Sequence, residues 1–60
     1  MKKGDIVKFK VKQDKHDSYV AYYLGTAKMG HAKMYRFAMS ELGEFEWQME
    51  KRDVIDVEVL

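Results

Sequence analysis

Apolar and polar residues alternate with a period of two in three stretches of the chain. From Asp5 to Lys12, Val7, Phe9 and Val11 fall on one side while Lys8, Lys10 and Lys12 fall on the other. From Glu44 to Glu50, Phe45, Trp47 and Met49 oppose Glu44, Glu46, Gln48 and Glu50. Near the end, Ile55, Val57 and Val59 oppose Asp56 and Glu58. Successive side chains leave a pleated strand on opposite faces, so this period predicts strands with one face buried and one wet.

Two further segments, from Ser18 to Thr26 and from Ala32 to Ser40, are apolar on both faces, and period alone does not orient them. Register does. A two-residue turn at Met29-Gly30, with Gly supplying the positive φ of tight hairpins, sets Leu24 opposite Tyr35, Tyr22 opposite Phe37 and Val20 opposite Met39. A three-residue loop at Glu41-Leu42-Gly43 then sets Met39 opposite Phe45, Phe37 opposite Trp47 and Tyr35 opposite Met49. The two turns together build one continuous apolar face, which a one-residue slip would scatter. The predicted core is that face, the first strand's Val7, Phe9 and Val11, and the last strand's Ile55, Val57 and Val59. Gln13 to Asp17 reads as a polar loop, and Lys51 to Val54 as a short turn of 3₁₀ helix before the last strand.

With one apolar face and no helix to shield it, such a sheet must curl on itself or meet a second copy. The prediction is all-β: five antiparallel strands closing into a barrel. Sixty residues suffice for one domain, spanning 1–60. The eight aromatics and a net charge of +1 argue against disorder. Cysteine is absent, which removes disulfides and thiolate metal sites and fits a reducing compartment. Met1-Lys2-Lys3 is followed by Gly4-Asp5 rather than by an apolar core, and no apolar run is long enough to span a bilayer. A cytoplasmic protein without membrane association is expected.

The opening Lys3-Gly4-Asp5-Ile6-Val7 and the ending Asp53-Val54-Ile55-Asp56-Val57-Glu58-Val59-Leu60 resemble SH3-like barrels of the Tudor and KOW type, and the short SH3-like proteins of bacteriophages and bacteria. That resemblance implies a five-stranded SH3-like barrel with one short 3₁₀ turn before the last strand. It implies that the first and last strands are neighbours, so that Lys8, Lys10 and Lys12 lie beside Asp56 and Glu58. The group contains peptide binders, nucleic-acid binders and subunits of larger machines, so it implies no single function. The Ala-Leu-Tyr-Asp-Tyr segment and Trp-Trp pair of proline-peptide binders are absent. The brevity of the chain is similar to that of phage accessory proteins acting on a host complex.

Charge is uneven. Residues 1–40 carry nine Lys/Arg against three Asp/Glu, a balance of +6, whereas residues 41–60 carry two against seven, a balance of −5. A basic region of this kind can hold phosphates, and cross-strand neutralisation by the acidic strands would reduce it. The register also predicts an outer face with Tyr19, Tyr23, Met34 and Arg36 over a floor of Ala and Gly, and a cation–π contact between Tyr23 and Arg36. Tyr, Met and Arg are the residues of interface centres, so these four are the candidate partner-binding residues.

No nucleophile motif, phosphate loop or cluster of converging carboxylates is present. His16 and His31 fall in predicted loops without metal-ligating neighbours. No catalytic, metal or cofactor residue is predicted. The sequence therefore points to a non-catalytic module that binds an unidentified protein. One alternative is nucleic-acid binding through Lys8, Lys10, Lys28, Lys33 and Arg36 with bases stacked on Tyr19 and Tyr23. The other is self-association of the same face into a homo-oligomer.

Overall fold

The computed structural model describes all 60 residues. Five strands, β1 (Ile6–Val11), β2 (Asp14–Met29), β3 (Ala32–Ala38), β4 (Trp47–Glu50) and β5 (Val54–Val59), form one antiparallel sheet. A 3₁₀ turn, Lys51–Asp53, joins β4 to β5 as the sequence predicts. The order is β4-β3-β2-β1-β5, so the first and last strands are neighbours. The sheet is open, because β4 and β5 stand at its two edges without pairing. The expected closed barrel is corrected on that point.

The sheet is nevertheless strongly curled. Phe9 on β1 and Phe37 on β3 are separated by all of β2, a flat-sheet distance of about 10 Å at the usual strand spacing. Their rings stack with centroids 4.4 Å apart. Both are fully buried, with Val7, at the centre of a cluster completed by Val11, Ala21, Tyr23 and Val54. Tyr35, Trp47 and Met49 pack against its margin.

The β2–β3 turn is Gly30-His31, one residue later than expected, with Met29 opposite Ala32. Gly30 has φ 60 and His31 does not, which is the arrangement of a type II′ hairpin with Gly at the first central position. The displacement moves the pairing by an even number, so the hairpin end keeps its faces. A bulge at Leu24 does not. Gly25 opposes Arg36 but Tyr23 opposes Phe37, leaving Leu24 as the extra residue beside Gly25 at φ 124. Beyond this bulge every β2 side chain is on the other face from the one the sequence predicts. Ala21 and Tyr23 therefore enter the core in place of Val20 and Tyr22. Val20 is exposed, Tyr22 is half-buried, and Leu24 is buried on the convex face apart from the central cluster.

β3 and β4 keep the predicted register, Phe37 opposite Trp47 and Tyr35 opposite Met49. The loop between them is longer than expected, and Met39 and Phe45 lie in it, both exposed rather than in the core. β5 carries a second bulge, where Asp56 takes φ 53 and the pairing shifts between Lys8/Glu58 and Lys10/Ile55. Val54 thereby replaces Ile55 inside. Val57 and Val59 are exposed, since no opposite wall covers them in an open sheet. The expected Gln13–Asp17 loop is a tighter reversal, because Val11 pairs with Asp14 and the remaining residues bulge within β2.

Candidate functional site

The open side of the curled sheet leaves an apolar groove of about 340 Å³, lined by Phe9, Val11, Tyr19, Trp47 and Met49. It exists because β1 and β2 bring Phe9 and Tyr19 together as a cross-strand pair while β4, across the curl, supplies Trp47 and Met49. Tyr19 stacks on Phe9 at 5.9 Å and Trp47 leans on Phe37 at 5.8 Å. Tyr19 remains 41% exposed and Trp47 and Met49 are half-buried. The groove has no polar lining residue.

Further along the same face the character changes to cationic. Lys33, Tyr35 and Phe37 alternate onto one side of β3, so Lys33 continues the row of core aromatics past the end of the core. Lys28 is its direct cross-strand partner, and like charges so placed repel. Lys51 reaches the same end, its Nζ 5.3 Å from the centre of the Tyr35 ring. One depression beside these residues is lined by His31, Ala32, Lys33, Lys51 and Arg52 with the single carboxylate Glu50, and another by Thr26, Ala27, Lys28, Lys33 and Lys51. The molecule's ion pairs are Arg36–Glu46 and Arg52–Glu50, so Lys28, Lys33 and Lys51 have no carboxylate partner.

The sequence-predicted partner residues do not come together. Tyr23 is buried, 6% exposed, and burial and then the neighbouring Tyr35 push its phenol pKa up. Tyr19 shares the concave face with it, whereas Met34 and Arg36 lie on the convex face. The predicted Tyr23–Arg36 contact is absent because the bulge at Leu24 separates them. Arg36 instead donates from Nε to Glu46 Oε2 at 3.0 Å and from its terminal nitrogen to Oε1 at 2.8 Å. This bidentate hydrogen bonding raises the Arg36 pKa and lowers that of Glu46. Of the predicted cationic set, Lys28 and Lys33 meet at the hairpin, Arg36 is neutralised, and Lys8 stands opposite Glu58 while Lys10 stands opposite Ile55. Lys51 and Trp47 are functional candidates that the sequence reading placed in a turn and in the core. Comparison with family models, curated proteins and solved structures gives no match.

The loop Met39–Glu46 is the third unusual surface. Ser40 Oγ accepts from the Leu42 and Glu44 amides, Gly43 N–H donates to the Ser40 carbonyl, and Met39 N–H donates to the Glu44 carbonyl. Together with Lys3, Leu24 and Arg36, its residues Glu41, Leu42, Gly43 and Glu46 line a depression on the convex face. Despite this bracing, Leu42 is 90% and Phe45 81% exposed, and Phe45 is held at φ 55. No group of three or more His, Asp or Glu converges as a metal site, and no helix is long and apolar enough to cross a membrane.

Proposed function

We propose that the chain is a non-catalytic binding module whose concave groove takes an apolar side chain from an acidic segment of a protein. The observation that carries this reading is the groove itself. A chain with nine buried residues leaves two aromatics, Tyr19 on the central strand β2 and Trp47 on the edge strand β4, partly open around an apolar-walled cleft. Exposed aromatics beside cationic side chains have the chemistry of an interface centre with a charged rim. Lys51, next to Met49 through Tyr35, supplies that rim and selects for acidic flanks. The strand order, the long β2 that serves both halves of the curl and the 3₁₀ turn before β5 support reading the fold as an SH3-like barrel with an open mouth.

Trp47 is the only tryptophan, so its emission reports the groove directly. Titration with a synthetic acidic peptide carrying one phenylalanine is expected to shift Trp47 emission to the blue and to saturate. Tyr19→Ala should weaken that binding several-fold, since one aromatic contact is worth about 0.5–1.5 kcal/mol. An emission spectrum unchanged up to about 1 mM peptide, the weak limit of useful affinity, overturns the reading.

A second reading, nucleic-acid binding, is favoured by one observation, the unpartnered Lys28–Lys33 pair joined by Lys51. It requires retention on single-stranded DNA at low salt that falls steeply as salt rises, and loss of part of that slope in Lys33→Gln.

A further inference from the structure

The large apolar side chains that the fold leaves exposed lie either on the sheet and its ends, as Ile6, Tyr19, Val20 and Val57 do, or on one braced loop. The loop is the more unusual. Leu42 and Phe45 project from a segment whose backbone is tied at Ser40, Gly43 and Glu44, so the exposure is not that of a floppy connection. A non-glycine residue at positive φ costs roughly 1–2 kcal/mol and persists only where its surroundings hold it. Phe45 gains no burial in return. Its flanks are Glu44 and Glu46, with Glu41 one turn earlier, and Glu41 and Glu44 pair with no cation in the molecule.

This loop has the chemistry that the concave groove accepts: an aromatic side chain on an acidic, preorganised segment. The groove is apolar and its neighbouring end is cationic through Lys28, Lys33 and Lys51. We propose that the Met39–Glu46 loop of one copy seats Phe45 in the Phe9–Tyr19–Trp47–Met49 groove of a second copy, with Glu41 and Glu44 against the cationic end. This inference rests on the groove reading above and names its occupant. The loop packs on the convex face, over Leu24 and Arg36, whereas the groove opens on the concave face. Knob and groove of one molecule are thus free at the same time, so the contact is head-to-tail and propagates as a chain or closes as a ring. Opposite charges on the two surfaces make the association weaken as salt screens them.

The test uses the intact chain in sedimentation velocity and Trp47 emission. The native chain is expected to gain apparent mass and shift its emission to the blue as concentration rises from about 10 μM to 1 mM. Phe45→Ala, which removes the knob, and Tyr19→Glu, which places a like charge in the groove, should each sediment as monomers. Mixed in equal amounts, they should form a dimer and nothing larger, since each supplies the half that the other lacks. A native chain that stays monomeric across this range overturns the inference. So does a mixture that stays monomeric while the native chain associates, because another surface is then responsible. The acidic phenylalanine peptide added to Phe45→Ala separates the two levels. If it shifts Trp47 emission while the native chain remains a monomer, the groove binds a different protein of the same chemistry; if it does not, the groove reading falls as well.

Discussion

Phe37 and Phe45 are the same side chain in opposite situations. Phe37 is wholly buried, with Phe9, Tyr23, Tyr35 and Trp47 around it, near the end of a strand bonded on both sides. Phe45 is 81% exposed on a loop, in a backbone conformation that disfavours it. The region around Phe37 is what a small chain must have to fold at all, since about 60 residues bury little surface to offset chain entropy. The region around Phe45 contributes nothing comparable to folding, yet is held in place by the hydrogen bonds of Ser40 and the Arg36–Glu46 pair. Rigid exposed aromatics are a feature of surfaces that bind, because little entropy remains to be lost on contact.

The largest expected effect breaks the first region. Phe37→Ala should destabilise the chain by about 3–5 kcal/mol in urea denaturation, enough to leave so small a domain largely unfolded. A loss below about 1 kcal/mol would mean that Phe37 is not central. The second effect sharpens the contrast. Phe45→Ala should cost no more than about 0.5 kcal/mol, as exposed substitutions do. Phe45→Gly should be more stable than Phe45→Ala by about 1 kcal/mol, because glycine adopts φ 55 without the Cβ penalty. Equal stability of the two would remove the claim of a strained backbone there.

The smallest effect concerns the brace between the two regions. The Glu46 carboxyl is held below its ordinary pKa mainly by the hydrogen bond from Arg36. A group whose folded pKa is depressed contributes stability above its unfolded pKa, and that contribution disappears as pH falls through the folded value. The native chain should therefore lose slightly more stability on acidification than Arg36→Gln does. The difference should shrink in high salt, as for any exposed ion pair. Parallel pH profiles for the two chains would show that the pair does not brace the loop.

Much of the fold was legible in the sequence because it follows from alternation. Val7, Phe9 and Val11 are inside, Phe37 pairs with Trp47, Tyr35 pairs with Met49, and the 3₁₀ turn precedes β5. What alternation cannot carry is a bulge. Leu24 adds one residue to β2, and from there Tyr23 and Ala21 exchange faces with Tyr22 and Val20. Gly25, next to it, was the available signal, since a glycine inside a strand pattern often marks such a kink. Asp56 does the same in β5 with no glycine to mark it. The candidate site was less legible for the same reason. Tyr19 was singled out, but on the wrong face, and the expected patch with Met34 and Arg36 depended on a register that the bulge breaks. Trp47 and Phe45 read as core by alternation from Glu44 to Glu50, but β4 starts only at Trp47, so Phe45 lies in the loop before it, and the open sheet leaves Trp47 half-buried at the mouth.

The most direct measurement is the map of backbone amide shifts when the Phe45→Ala chain, whose groove is free of a second copy, meets the acidic phenylalanine peptide. A binding groove on the concave side requires the shifts to centre on Phe9, Tyr19, Trp47 and Met49, with Leu24 and Ala38 on the convex side unmoved. Shifts centred on the convex face, or confined to Lys28 and Lys33 with the aromatic groove silent, would contradict it.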